Sequence, residues 1–149
     1  MTMRMTLTTA LALPLLIGAA SSAGAATPLQ VVQHHVAVMK TGNLPAIMRD
    51  YAANTVVIAP PGLVRGQSAK EVGVFVGADA RRIFATLTDK DHHPGVRTME
   101  TRITPAGPDS VRLKWVQFRG TPQQVSGEDV FVVRGGKIVY QAILPNPAP

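Results

Sequence analysis

The hydrophobic period of this 149-residue chain changes once, near its middle, and that change restricts the fold more than any other feature. Up to Leu87 the apolar residues recur at helical spacing between capping signals. Beyond Arg97 they alternate in runs separated by turn residues. Helices followed by an antiparallel meander make an α+β architecture, with the sheet packed on the helices.

The helical half opens on Thr27-Pro28-Leu29-Gln30. Thr27 is the expected N-cap, Pro28 suits the first turn, and Gln30 completes a capping box. The spacing predicts a helix to Thr41, ended by a left-handed Gly42. His35 falls within the apolar arc of Val32, Val36, Val38 and Met39, and His34 falls at its edge. Adjacent helix positions diverge, so these two histidines do not form a chelate. Asn43 caps a second helix, expected from Leu44 to Tyr51. Asn54 to Ala59 reads as a buried strand, and Leu63-Val64-Arg65 as a short return strand after Pro60-Pro61-Gly62. Ser68 to Glu71 reads as another capping box, opening a helix through Val76, so Ser68 needs no nucleophilic role. Asp79 is expected to cap a further helix that buries Ile83, Phe84 and Leu87. Asp89 to Pro94 reads as a polar loop.

Four strands are expected in the second half: Arg97–Thr104, Ser110–Arg119, Val125–Arg134 and Lys137–Leu144. Gly135-Gly136 is a two-residue hairpin signal. Val111, Leu113 and Trp115 share one parity, whereas Val116 and Phe118 take the other, which suggests a β-bulge near Trp115. A bent sheet of this kind wraps its helices as a cone with an open mouth.

Ahead of the domain, Met1–Ala26 reads as a secretory signal. Arg4 is the basic n-region, Leu7 to Ala20 the apolar stretch, and Ala23-Gly24-Ala25 the cleavage site. The stretch is short for a bilayer span, which takes roughly 20 apolar residues. The expected product is a periplasmic or secreted single domain, residues 27–149, with no membrane attachment after cleavage. There are no cysteines, so disulfides, thiolate metal sites and cysteine nucleophiles are excluded, and the exported domain must rely on its core. The formal net charge is +6, but the basic residues are scattered, with Arg81-Arg82 the only adjacent pair. A nucleic-acid partner would ask for basic residues gathered on one face, so none is expected. No phosphate loop, dinucleotide fingerprint or Gly-x-Ser-x-Gly elbow occurs. His92 and His93, near Asp89 and Asp91, lack a third ligand at helical or hairpin spacing, so no metal is expected either.

Four segments, in this order, carry a resemblance to a known family. They are Val31–Ala37; Gly42–Ile47 with Asp50-Tyr51-Ala52; Val56–Pro60 with Arg65–Ala69; and Glu128–Val139. Together they resemble the nuclear transport factor 2-like superfamily, in its SnoaL-like and ketosteroid isomerase-like branch. The resemblance implies a cone-shaped curved antiparallel sheet over N-terminal helices, a pocket within the cone, no cofactor, and pairing into a homodimer. It also implies a functional mixture of isomerases, cyclases, dehydratases and non-catalytic binders. Where the isomerases carry their proton-shuttling aspartate, just before the proline that ends the first strand, this chain has Ala59. His35 lines up with the family's helix-one tyrosine, and Asp129 with its aspartic acid kept protonated by apolar surroundings.

His35 and Asp129 are therefore the candidate catalytic pair, with the imidazole oriented by a carboxylate across the pocket. A buried, hydrogen-bonded pair that shapes the pocket satisfies the same residues. Met39, Met48, Tyr51, Phe118, Phe131 and Gln141 are the candidate ligand-pocket residues, while Trp115 and Tyr140 are assigned to the convex, dimer-forming face. Glu128 is expected to point away from Asp129. Three functions stay open: a binder of a small apolar molecule, a cofactor-free acid/base enzyme of isomerase, cyclase or dehydratase type, and a homodimeric interaction module.

Overall fold

The computed structural model describes residues 24–147. The signal segment expected over Met1–Ala26 lies outside them as far as residue 23. The chain runs α1 (Pro28–Thr41), α2 (Leu44–Arg49), β1 (Tyr51–Ala59), β2 (Gly73–Val76), a 3-10 turn (Gly77–Ala80), α3 (Arg81–Leu87), α4 (Gly95–Thr98), β3 (Glu100–Pro105), β4 (Ser110–Gln117), β5 (Val125–Arg134) and β6 (Lys137–Pro145). The strands form one curved sheet in the order β2-β1-β6-β5-β4-β3. The sheet is mixed rather than wholly antiparallel, because β1 lies parallel to β6.

Helix α1 starts and stops as its ends dictate. The Gln30 N–H donates to Thr27 Oγ1 and Gln30 Oε1 accepts from the Thr27 N–H, while Gly42 closes the helix at φ 71°. Val31, Val32, His35, Val36 and Met39 form its buried face. The Gly135-Gly136 hairpin has positive φ at both glycines and joins β5 to β6.

Several expectations fail for local reasons. Helix α2 ends at Arg49, not Tyr51. The Asp50 N–H turns back to the Ile47 carbonyl, and the Asp50 carbonyl accepts from the Ile138 N–H, so the chain joins the sheet at Tyr51. Leu63–Arg65 is a turn, held by Gln67, whose side chain accepts from the Val64 N–H and donates to the Pro60 carbonyl. The helix expected from Ser68 to Val76 is replaced by β2. Ser68 Oγ accepts from the Lys70 N–H within a turn, so no capping box forms, and the β-branched Val74 and Val76 pair with β1 instead. Asp79 makes no cap bond and contacts Arg82. The polar loop leads into the unexpected α4. No bulge occurs near Trp115, since β4 stays in register with β5 through Gln117. The parity change marks a strand end, where Phe118 takes φ 53°. Register shifts occur elsewhere, between Tyr51 and Val56 and between Val132 and Val133.

Candidate functional site

Between α1, α3, α4 and the inner face of the sheet lies an open cavity of about 260 Å³. Its wall is mostly apolar: Val36, Met39, Leu63, Phe84, Leu87, Val96, Met99, Leu113 and Ile143 contribute. The polar atoms come from few residues. His35, Asp129, Gln141 and Trp115 gather on the side of α1 and β4–β6, with His93 and Gln117 elsewhere on the wall.

Strand alternation puts these groups where they are. Leu113, Trp115, Asp129, Phe131, Gln141 and Ile143 occupy inward positions of three adjacent strands. Trp115 pairs with Gly127, and a β-carbon there would collide with the indole ring. The missing side chain lets the indole lie across β5 and donate its Nε1–H to Asp129 Oδ1 at 2.8 Å. Gln141 donates Nε2–H to the other oxygen, Oδ2, at 2.8 Å. The Gln141 carbonyl oxygen accepts the Tyr51 hydroxyl at 2.5 Å, and Tyr51 lies 3.3 Å from His35 Nε2. Five side chains thus stand in series from helix to sheet: His35, Tyr51, Gln141, Asp129 and Trp115.

The pair singled out from the sequence is therefore joined through Tyr51 and Gln141, not across a direct imidazole–carboxylate contact. Burial shapes both ends. It pushes the Asp129 carboxyl up to about 6, assisted by the negative charge of Glu128 and opposed by the bonds from Trp115 and Gln141. It pushes the His35 imidazole down to about 3, with the neighbouring His34 adding to the effect. His35 is consequently neutral at physiological pH. Burial also drives the Tyr51 hydroxyl well above its usual range, with the negative charges of Asp129 and Asp50 contributing.

Of the other pocket candidates, Met39 and Gln141 line the cavity. Tyr51 and Phe131 stand one layer behind it, their rings packed edge-on to His35 at 5.3 and 5.6 Å between centroids. Met48 packs against the core from α2, and Phe118 is 37% exposed beside Gly95. Neither is part of the wall: Met48 is taken up by the core, and Phe118 lies beyond the end of β4. Trp115 lines the cavity rather than the convex face assigned to it, since Gly127 makes room for it indoors. Glu128 points outward, paired with Arg112. Among the described residues no three His, Asp or Glu side chains gather as a metal site, and His92 bonds to Asp89 at the exposed loop.

The sequence reading missed Asp50. This buried carboxylate receives His34 Nδ1 at 2.9 and 3.1 Å, and its Oδ2 lies 3.9 Å from His35 Nδ1. Burial raises its pKa, against the attraction of His34 and Lys137. No local pattern marks it, because the return of Asp50 to α1 depends on how the elements pack.

No family model and no curated protein sequence matches the chain. Solved structures do. A candidate ketosteroid isomerase from Kribbella flavida aligns with a TM-score of 0.58 at 13% identity, covering 82% of this chain and 79% of that one. A candidate polyketide cyclase from Pseudomonas putida aligns at 0.52 with 16% identity, covering 81% and 92%. A nuclear transport factor 2-like protein of unknown function from Mesorhizobium loti aligns at 0.56 with 14% identity, covering 80% and 91%. This chain has the nuclear transport factor 2-like fold.

Proposed function

We propose that this protein is an exported binder of a small, mostly apolar molecule carrying one hydroxyl group, which enters the cone and donates its hydrogen bond to Asp129. One observation carries the reading: a buried carboxyl group, with a donor fixed on each oxygen, borders a cavity whose wall is otherwise nearly all apolar. Such a site draws affinity from apolar contact, about 25 cal/mol per Å² removed from water, and orientation from its few polar atoms. An ionised Asp129 accepts and never donates, so it favours a hydroxyl over a carboxylate. Export rests on the composition of the N-terminal segment.

Trp115 is the only tryptophan, so its emission reports on the cavity directly. A panel of apolar alcohols from cyclohexanol to adamantanol is titrated at pH 8, with the matching carboxylates alongside. Saturable emission changes with the alcohols, and none with the carboxylates, are expected. Carboxylates binding as well as alcohols, or an unresponsive Trp115 across the panel, overturns the reading.

A second reading, acid/base catalysis without a cofactor, is favoured by the Asp129 carboxyl at about 6, close to where a proton shuttle works. Ala59 removes the base position of the isomerases, so any such reaction runs on Asp129 with His35 behind it. Asp129→Asn then abolishes turnover while the fold persists, and retained turnover dismisses the acid.

A second copy of the chain is the partner we propose for the outer sheet face. Val74 and Val76 are 60% and 56% exposed there, beside Val56, Ile58, Tyr140, Val130 and Val132. The same face carries Arg112 and Glu128, paired with each other, so both signs of charge lie where a two-fold related copy would meet them. Sedimentation of the wild type as a dimer is expected, and a monomer at micromolar concentration contradicts it.

A further inference from the structure

The order of donors and acceptors along the buried chain is not free. The Trp115 indole only donates, so Asp129 Oδ1 is always an acceptor. With Asp129 ionised, Oδ2 accepts as well, which turns the Gln141 N–H toward it and the Gln141 carbonyl toward Tyr51. A tyrosine that donates forward accepts from behind, so the single imidazole proton sits on His35 Nε2. Nδ1 is then a bare lone pair. That atom is fully buried with no hydrogen-bond partner among the described residues, and Asp50 Oδ2 lies 3.9 Å from it. An unmade buried bond of this kind favours any arrangement that fills it.

We propose that the chain His35–Tyr51–Gln141–Asp129 reverses as a unit, so that the charge state of the cavity carboxyl sets the tautomer of His35 and its contact with Asp50. When Asp129 gains a proton it donates to the Gln141 carbonyl, and the amide turns over and donates to Tyr51. Tyr51 donates to His35 Nε2, and the imidazole presents Nδ1–H to Asp50. The two states differ by one proton, taken up from water onto Asp129. The imidazole carries one proton in each, and its change of site proceeds by loss of the Nε2 proton to water and gain of another from water at Nδ1, on the side of His34, which is 61% exposed.

Other titratable groups face the two ends. Glu128 and His93 neighbour the cavity end, and His34 and Lys137 act on Asp50. None of these bonds to Tyr51 or Gln141, so Asp129 is the group that sets the direction. The inference deepens the binding reading, because a hydroxyl seated on Asp129 stabilises its ionised form and holds the chain in the forward direction. By reciprocity, a change at Asp50 alters affinity in the cavity.

The test needs no ligand, so its outcome is separate from that of the binding reading. Full-length protein labelled with ¹⁵N-histidine is followed by long-range ¹H–¹⁵N correlation from pH 8 to pH 5. His35 is expected as the Nε2–H tautomer at pH 8 and to shift toward Nδ1–H as pH falls through about 6. Asp129→Asn locks the reversed direction. Trp115 claims the new carbonyl oxygen, the amide N–H₂ turns to Gln141, and His35 becomes Nδ1–H at every pH. Tyr51→Phe removes one link, after which the tautomer no longer follows pH in that window. A single His35 tautomer in the wild type across the whole range overturns the proposal, and so does an unchanged pH response in Tyr51→Phe.

Discussion

The two faces of this sheet each depart from the usual arrangement in a few positions. Inside, β1, β5 and β6 bury Tyr51, Asp129 and Gln141, each no more than 7% exposed. Outside, the same sheet leaves Val74 and Val76 in water and Val56, Ile58, Tyr140, Val130 and Val132 half-covered. Burying a carboxyl and an amide costs stability unless every bond is made, and replacing them by leucine-like residues of similar volume is often neutral or better. Exposing valines in a row costs solubility. Neither face is therefore explained by the stability of one isolated chain. On the proposed reading the inner face receives a molecule that enters the cone, and the outer face a second copy of the chain.

The comparison breaks most sharply where the inner face is purely structural. Phe131 is fully buried behind the cavity and packs on the His35 ring, so Phe131→Ala is expected to cost about 3–5 kcal/mol in denaturant unfolding. Gln141→Leu keeps the volume but strands the Tyr51 hydroxyl and one oxygen of Asp129. A loss of about 3 kcal/mol is expected, and a neutral outcome means the polar chain is not formed.

Asp129→Asn sharpens it through pH. The folded carboxyl sits above its unfolded value, so its contribution is intact below the unfolded pKa and is lost as pH rises through about 6. The asparagine variant never ionises. It is expected to gain on the order of 3 kcal/mol over wild type at pH 8 and nothing at pH 3.5, read from paired unfolding curves. His35 works in the opposite sense, its contribution being lost as pH falls from the unfolded value toward about 3, and it cancels in the paired comparison. On the outer face, Val74→Lys with Val76→Lys is expected to move monomer stability by less than about 0.5 kcal/mol while abolishing the dimer in sedimentation. A large stability loss without a change of mass would show that face to be core.

What could be read from the sequence follows the range of the forces involved. Helix α1, its Thr27 and Gly42 ends and the Gly135-Gly136 hairpin are decided by neighbours in the chain, and they are legible there. The segment Ser68–Val76 carries a capping pattern and a β-branched run at once, and pairing with β1, remote in contacts though near in sequence, chose the strand. The parallel pairing of β1 with β6 joins residues far apart in the chain, and no local signal announces it. Within the site, His35 could be named because helix periodicity sets it in the apolar arc of α1, and Asp129 because it lines up with the aspartic acid of the family the chain resembles. The Gly127 gap that brings Trp115 indoors, and the return of Asp50 to α1, depend on packing between elements.

The most direct test of the central claim is the pH dependence of alcohol binding, measured by calorimetry with adamantanol or the tightest alcohol of the panel. If the hydroxyl donates to an ionised Asp129, affinity is highest above about pH 6 and falls as the carboxyl is protonated, with proton release on binding near the midpoint. Affinity that stays level from pH 5 to pH 8, or rises on acidification, contradicts the account.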